Sequence, residues 1–590
     1  MSFPEKSVNI AKMEPAQKPS GKRDQIYQET SLYDLSDANS LAGQSEPPKH
    51  LEDKLGNAHV NLLPTKKLIV CLLGTSLSLF AAFCDQTSVT VALTYIAKDL
   101  NAQNTINWAG TASLLANTVC QVLFGRFADI FGRKEVLLSC LVLLLFSSLL
   151  CGFAATGPQF YALRALAGIG SGGVSSLSMV IMSDVVTLKQ RGKFQGILGL
   201  SVGIGNAVGP IIMASFAAHK TWRDFYRMMP PIIAVVIVLV HFSVSSKKKS
   251  LDNVLSTRAK LMKIDYIGIF FAAAALILLL IPISGGGSTY AWNSPLVIAM
   301  FIAGGVCFGI FLLVEWKIPE LPMIPLSIFK NFTLSTILLL TFFFGMAYFS
   351  FLFAVPYYFQ LVRGHLIMRL AIFTLPLVLM QASMSALAGS IITFTGRYLP
   401  VTIVGYSFWL TGHGMTLAWG VNTSDGFIIG TMLVLGTGVG FIFQPTMVAA
   451  QANSRKAQRA VVISARNVIR SFGGALGTAI ASLIVTNSLL KDINEQAKLT
   501  NLPALYLEYM KANIYSHPDV SVLTPEQLAV VRHMYSGALR NYFYLTVPLL
   551  GMCLIFAFFT KDNGLQCLDE PRAEKRNDIE FGRFFKRSNN

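Results

Sequence analysis

The sequence predicts an all-α polytopic membrane protein: two six-helix bundles with two further helices inserted between them, fourteen transmembrane helices in all. Three observations predict it: composition, the count of apolar stretches, and an internal repeat. Of 590 residues, 53% are hydrophobic and only 13% are charged, with mean hydropathy +0.54. A soluble domain carries about a quarter charged residues. The net charge of +17 would suit a nucleic-acid partner, but it is spread over the short loops between apolar segments. That is the pattern of membrane topology, so nucleic acid is not an expected partner.

Taken in order, residues 1–66 are polar, hold eight Lys/Arg against nine Asp/Glu, and read as a disordered cytoplasmic tail without a cleavable signal pattern. Residues 67–245 hold apolar stretches at 68–93, 109–128, 136–154, 159–182, 194–217 and 228–244, each near the ~20 residues that a spanning helix needs. Residues 246–332 form a linker with spans 7 and 8 at 265–283 and 296–314. Residues 333–560 supply the second bundle, with spans at 333–355, 370–393, 399–419, 427–450, 461–485 and 542–560. Its long outside loop, 486–541, contains Thr524-Pro525-Glu526, a helix start that predicts an amphipathic helix there. Residues 561–590 form a second cytoplasmic tail. Most Lys and Arg of the short loops follow even-numbered spans, which places both termini in the cytosol.

The repeat is carried mainly by glycines. Gly125 and Gly132-Arg133 recur as Gly389 and Gly396-Arg397, and Gly168-x-Gly170 recurs as Gly436-x-Gly438. Arg191 recurs as Arg459, and Gly205-xxx-Gly209 as Gly473-xxx-Gly477. Four landmarks at nearly one offset predict two six-helix halves enclosing a central site.

These residues resemble the major facilitator superfamily, and within it the fourteen-span drug:proton antiporter branch of fungi. The G-x-x-x-D-x-x-G-R-K motif after span 2 is met by Gly125, Asp129, Gly132, Arg133 and Lys134. Span 4 carries an arginine, Arg164, in LRALAGIGSGG; span 1 reads CDQTSVTVAL; span 5 holds Gly205-xxx-Gly209-Pro210. Three positions depart from the branch pattern, Thr94 in place of a span-1 proline and Met213-Ala214 in place of a small glycine pair. The resemblance implies the major facilitator fold, a cytoplasmic gate at the span 2–3 motif, and an antiporter motif on span 5. For the gate, Asp129 at the end of span 2 is expected to pair with Arg133 and to accept hydrogen bonds from a neighbouring helix start.

Ionisable groups at membrane depth cost about 2.5–3.5 kcal/mol each on insertion scales, so few are kept without a use. Asp85 and Arg164 lie well inside spans 1 and 4 and are the candidates for proton coupling or substrate binding. Arg466 and Arg470 begin span 13, from where long side chains can snorkel to the cytoplasmic surface. Gln121, Asn206, Gln360 and Gln444 are cavity candidates, or equally interhelical glue. The eight cysteines show no metal or CxxC spacing, and neither metal nor cofactor is expected. A GxGxxG match at Gly168–Gly173 lies inside a spanning helix and follows no strand, and no P-loop occurs, so dinucleotide and ATP chemistry have no support. No cluster of nucleophile, base or metal ligands marks an enzyme.

The expected function is therefore proton-coupled export of small organic solutes, cationic or drug-like ones included, from the cytosol by alternating access. The protein is expected to act as a monomer in the plasma membrane, with the substrate, protons and the lipid bilayer as partners. The alternatives are a vacuolar importer of basic amino acids and a non-transporting membrane receptor.

Overall fold

The computed structural model describes residues 64–565, apart from 103–104, 107, 245–264, 286–290, 318–325, 366, 456–457, 500–501, 513–522 and 563. The expected tails and the basic loop after span 6 lie outside the described residues, wholly or nearly so. The first half runs α1 (Thr65–Asp99), α2 (Trp108–Phe131), α3 (Arg133–Cys151), α4 (Gly157–Val185), α5 (Leu188–His219) and α6 (Trp222–Ser243). Then come α7 (Tyr266–Gly285) and α8 (Pro295–Lys317). The second half runs α9 (Phe332–Tyr357), α10 (Ile367–Thr395), α11 (Leu399–Thr416), α12 (Asp425–Ala452), α13 (Arg459–Leu499), α14 (Ala504–Ala512) and α15 (Pro525–Phe558).

Twelve of these helices are long and apolar enough to cross a membrane. The other two expected spans are α2 and α11, which pack chiefly against α4 and α12 of their own halves, α2 also meeting α13 of the second half. Helices α7 and α8 pack chiefly on each other, and α7 leans on α2 and α13 from outside. They bury little of their surface, which suits helices facing lipid.

Glycine packing makes the repeat visible in three dimensions. A Cβ at Gly205 or Gly209 of α5 would strike the Phe80 or Cys84 carbonyl of α1. At Gly473 and Gly477 of α13 it would strike the Phe342 and Met346 carbonyls of α9. In the same way Gly168 and Gly172 let α4 approach α2, as Gly436 and Gly440 let α12 approach α10. Each contact replaces a side chain by direct backbone approach, the usual means by which membrane helices gain dispersion energy without a hydrophobic driving force. Pro210 and Pro445 lie inside α5 and α12.

The segment 486–541 differs from its expected form as a loop. Helix α13 continues unbroken to Leu499, and α15 starts at Pro525 and runs straight into the last span. Thr524 and Gln527 form a capping box, so the predicted helix start is present, but no break separates that helix from the span. The amphipathic pattern continues because Leu489, Ile493, Tyr506, Met510, Val531, Met534 and Tyr535 are all buried in the same apolar cluster, with α14 and α15 both packed on α13.

Two ends of the molecule can be told apart by contacts. At one, here the terminal face, the starts and ends of the second half meet. Asn331 donates to the Asn453 carbonyl (3.1 Å), Asn453 to the Tyr398 hydroxyl (2.9 Å), and Tyr398 to the Lys561 carbonyl (2.9 Å). At the opposite face, Arg223 pairs with Asp99 and donates to the Ala154 carbonyl (3.0 Å). There Arg363 pairs with Asp425 (2.5 Å) and donates to the Val421 carbonyl (2.8 Å). His365 beside that pair has its pKa lowered, first by burial and then by the Arg363 charge.

Candidate transport site

Asp85 and Arg164, 79 positions apart, form one buried ion pair. The Arg164 Nη1 donates to Asp85 Oδ2 at 2.7 Å, and Ser148 of α3 donates to Oδ1 at 3.2 Å. The guanidinium also sits 5.8 Å from the centre of the Tyr226 ring of α6. Both side chains are 2% exposed or less. The pair therefore binds α1, α3, α4 and α6 together inside the first half, next to the Cys84 carbonyl on which Gly209 packs. Breaking one partner of such a pair costs about 3–5 kcal/mol, because the other charge is stranded in a dry interior.

The span 2–3 motif is built at the terminal face. Gly132 ends α2 and caps α3 with φ +99°, as Gly396 does after α10 with φ +69°. That left-handed region is open to glycine at little cost, which is why both turns keep it. Arg133 pairs with Asp184 at the end of α4, and both are at most 10% exposed. The side chain of Asp129 lies outside the described residues. Lys134 is half-buried. The sequence signal for Asp184 is slight, a carboxylate at a span end just before a basic loop. Nearby, Arg191 donates to the Ser183 carbonyl (3.0 Å) and Gln195 to the Met179 carbonyl (2.9 Å), fixing the α4–α5 turn.

The halves touch most closely toward this same face. Gly192 of α5 and Gly389 of α10 meet backbone to backbone, and the Lys193 amide donates to Thr393 Oγ1 at 2.8 Å. A Cβ at Gly125 would sit 2.6 Å from Ser464 Oγ of α13, whose hydroxyl also bonds that of Ser176 on α4 (2.8 Å).

The cavity candidates separate. Gln121 donates to Asn117, which donates to Ser171 (2.9 Å), so α2 and α4 share a polar network. Gln444 is fully buried with its amide unpartnered among the described residues, pressed toward Gly199 of α5. Asn206 is half-buried on α5, its Oδ1 also without a hydrogen bond. Gln360 stands apart, in a π-helical turn (Tyr358–Val362) that follows α9 near the opposite face.

Arg466 and Arg470 do not snorkel. Arg466 is fully buried and donates to the Phe443 carbonyl (2.7 Å) and to Thr446 Oγ1 (2.8 Å) on α12. Its guanidinium stands 5.0 Å from the Phe443 ring centre, and that of Arg470 stands 5.3 Å from the same centre and 5.6 Å from that of Phe349. The two charges are thus within about 10 Å of each other, a repulsion of roughly 2 kcal/mol at an effective dielectric constant of 20. Aromatic faces offset about 0.5–2 kcal/mol each but leave the charge unneutralised. Among the described residues no carboxylate pairs with either arginine. Sequence position gives their depth, but not the direction in which they turn.

The family model described as Major Facilitator Superfamily matches residues 75–478. Citrate exporter 1 of Yarrowia lipolytica is 41% identical over 516 residues, covering 88% of this chain and 75% of that protein. The vacuolar membrane amino acid uptake transporter fnx2 of Schizosaccharomyces pombe is 29% identical, covering 80% of this chain and 81% of that one. Among solved structures, that of the proton:xylose symporter XylE bound to 6-bromo-6-deoxy-D-glucose superposes with TM-score 0.56 at 12% identity, over 86% of this chain and 98% of the other. Two halves related by shared glycine contacts, polar groups at their seam and these matches lead to one conclusion: the chain belongs to the major facilitator superfamily and is a membrane transporter, not an enzyme.

Proposed function

We propose that the protein is a proton-coupled exporter that moves small organic solutes out of the cytosol, with α2 and α11 completing fourteen spans. The observation that carries this reading is the Asp85–Arg164 pair, a protonatable carboxylate that joins four helices of one half. Protonation of Asp85 removes the charge that holds Arg164, which frees α1, α3 and α4 to repack; deprotonation restores the pair. Coupling of this kind needs no contact between proton and solute.

In this reading the basic loops put the terminal face in the cytosol, and the close seam at Gly192–Gly389 and Ser176–Ser464 belongs to a conformation shut toward it. The 41% identity to a citrate exporter makes organic acids the first class to screen. A second reading, uptake of amino acids into the vacuole, is supported by the fnx2 similarity and has the same direction relative to the cytosol. The plasma membrane remains the proposed location.

The test uses inside-out plasma-membrane and vacuolar vesicles with an acidic lumen. Solute should accumulate in the lumen of one vesicle type and collapse with a protonophore. The double variant Asp85→Asn/Arg164→Gln, which strands no charge, should abolish the dependence on the gradient. Full dependence in that variant would overturn the coupling assignment.

A further inference from the structure

We infer that Arg470, backed by Arg466, is the recognition site for an organic anion carrying two or more carboxylates. The inference rests on reading the protein as a solute exporter, and gives that exporter its substrate chemistry.

The two halves treat buried charge differently. In the first, Arg164 has its own carboxylate 2.7 Å away. In the second, two guanidiniums flank one phenylalanine ring, and no acidic side chain among the described residues neutralises them. Arg470 lies 11 residues along α13, about 16 Å from its start, which is near mid-span. It keeps partial exposure there, and its Nε has no hydrogen-bond partner. Gly345 and Gly473–Gly477 hold α9 and α13 together at this level, and the guanidinium lies within 5.6 Å of the centres of both the Phe349 and Phe443 rings. Tyr348, one residue from Phe349, donates to Gln381 at 3.1 Å and gives the same region a hydroxyl.

A planar guanidinium with free donors binds a carboxylate through two parallel hydrogen bonds. Arg470 is the group able to make that contact. Arg466 has its Nη2 occupied by the Phe443 carbonyl and Thr446, and acts as a positioning residue. It braces the ring on which Arg470 rests and keeps a second positive charge behind it. A substrate with one carboxylate would neutralise Arg470 alone. A substrate with two or three would also answer the field of Arg466, so the pair selects for charge number. A cation would meet only repulsion here, and Asp85 is held by Arg164 in the other half.

The experiment measures binding to purified full-length protein by calorimetry, with citrate, tricarballylate, acetate and inorganic phosphate as probes, beside proton-driven citrate flux in proteoliposomes. Citrate and tricarballylate should bind, with acetate and phosphate at least tenfold weaker. Arg470→Gln should weaken citrate by roughly 10–100-fold, the loss expected for a charge-assisted hydrogen bond. Arg470→Lys should recover part of it, which excludes simple misfolding. Arg466→Gln should narrow the ratio of citrate to acetate affinity, and Arg466→Lys should restore that ratio. Unchanged citrate affinity in Arg470→Gln, phosphate binding as tight as citrate, or no citrate binding by the parent would overturn the site. Arg470-dependent citrate binding without proton-driven flux would keep the site and remove the exporter reading. Flux unaltered by Arg470→Gln would do the reverse.

Discussion

At the scale of single residues, a charge in this protein is defined by what faces it. Removing the carboxylate of Asp85 leaves Arg164 buried with the Asp85 backbone carbonyl and the Tyr226 ring beside it, and no negative charge. Asp85→Asn and Arg164→Gln are each expected to lower stability by about 3–5 kcal/mol, and the double variant by clearly less than the sum. Thermal unfolding of the purified protein in detergent checks this, and strict additivity would show that the two side chains are not coupled. The sequence makes both groups conspicuous, because an Asp and an Arg at membrane depth demand a reason. It does not make them partners, since 79 positions separate them and the choice is made by how α1 crosses α4. Arg466 and Arg470 show the opposite limit. Their nearness to a helix start suggests an escape to water, yet a turn of the helix aims them at Phe443, and no periodicity in the segment distinguishes the two outcomes. Asp184 is inconspicuous in the sequence for a similar reason: its role depends on Arg133 arriving from another helix.

At the scale of elements, glycine spacing carries most of what could be read in advance. The recurrence of Gly205/Gly209 as Gly473/Gly477 corresponds to two helix crossings of the same kind, α5 on α1 and α13 on α9. A methyl group at either member must displace backbone, not a flexible side chain. Gly209→Ala and Gly477→Ala are therefore each expected to cost about 1–3 kcal/mol, the usual penalty of overpacking. The same change at Gly414, which has nothing within 4 Å, should be close to neutral. Comparable melting temperatures for all three would remove the close-approach argument. The segment 486–541 reads as a loop with one helix in it because its polar residues lower the mean hydropathy while leaving helical periodicity intact. Leaving the apolar layer ends a membrane span; it does not end a helix.

For the whole molecule, the seam between halves is where transport is expected to be controlled. Ser176 and Ser464 hydroxyls are 2.8 Å apart, so the pair Ser176→Cys/Ser464→Cys should form a disulfide that stops flux, with recovery on reduction. Flux that continues with the bond formed would mean that this contact need not open. The long thirteenth helix has a mechanical corollary. At 41 residues it is about 61 Å from end to end, with Arg470 near one quarter of its length and its far part bonded to α15 through Asn541 and Ser488 at 3.1 Å. A rod of that kind works as a pointer. Should the half that holds it tilt by roughly 15°, of the order seen when subunits rotate as rigid bodies, its tip sweeps about 10 Å while the guanidinium moves far less. A spectroscopic probe near Lys491 would then register the state of a buried site from a place in water, well away from anything that touches the solute.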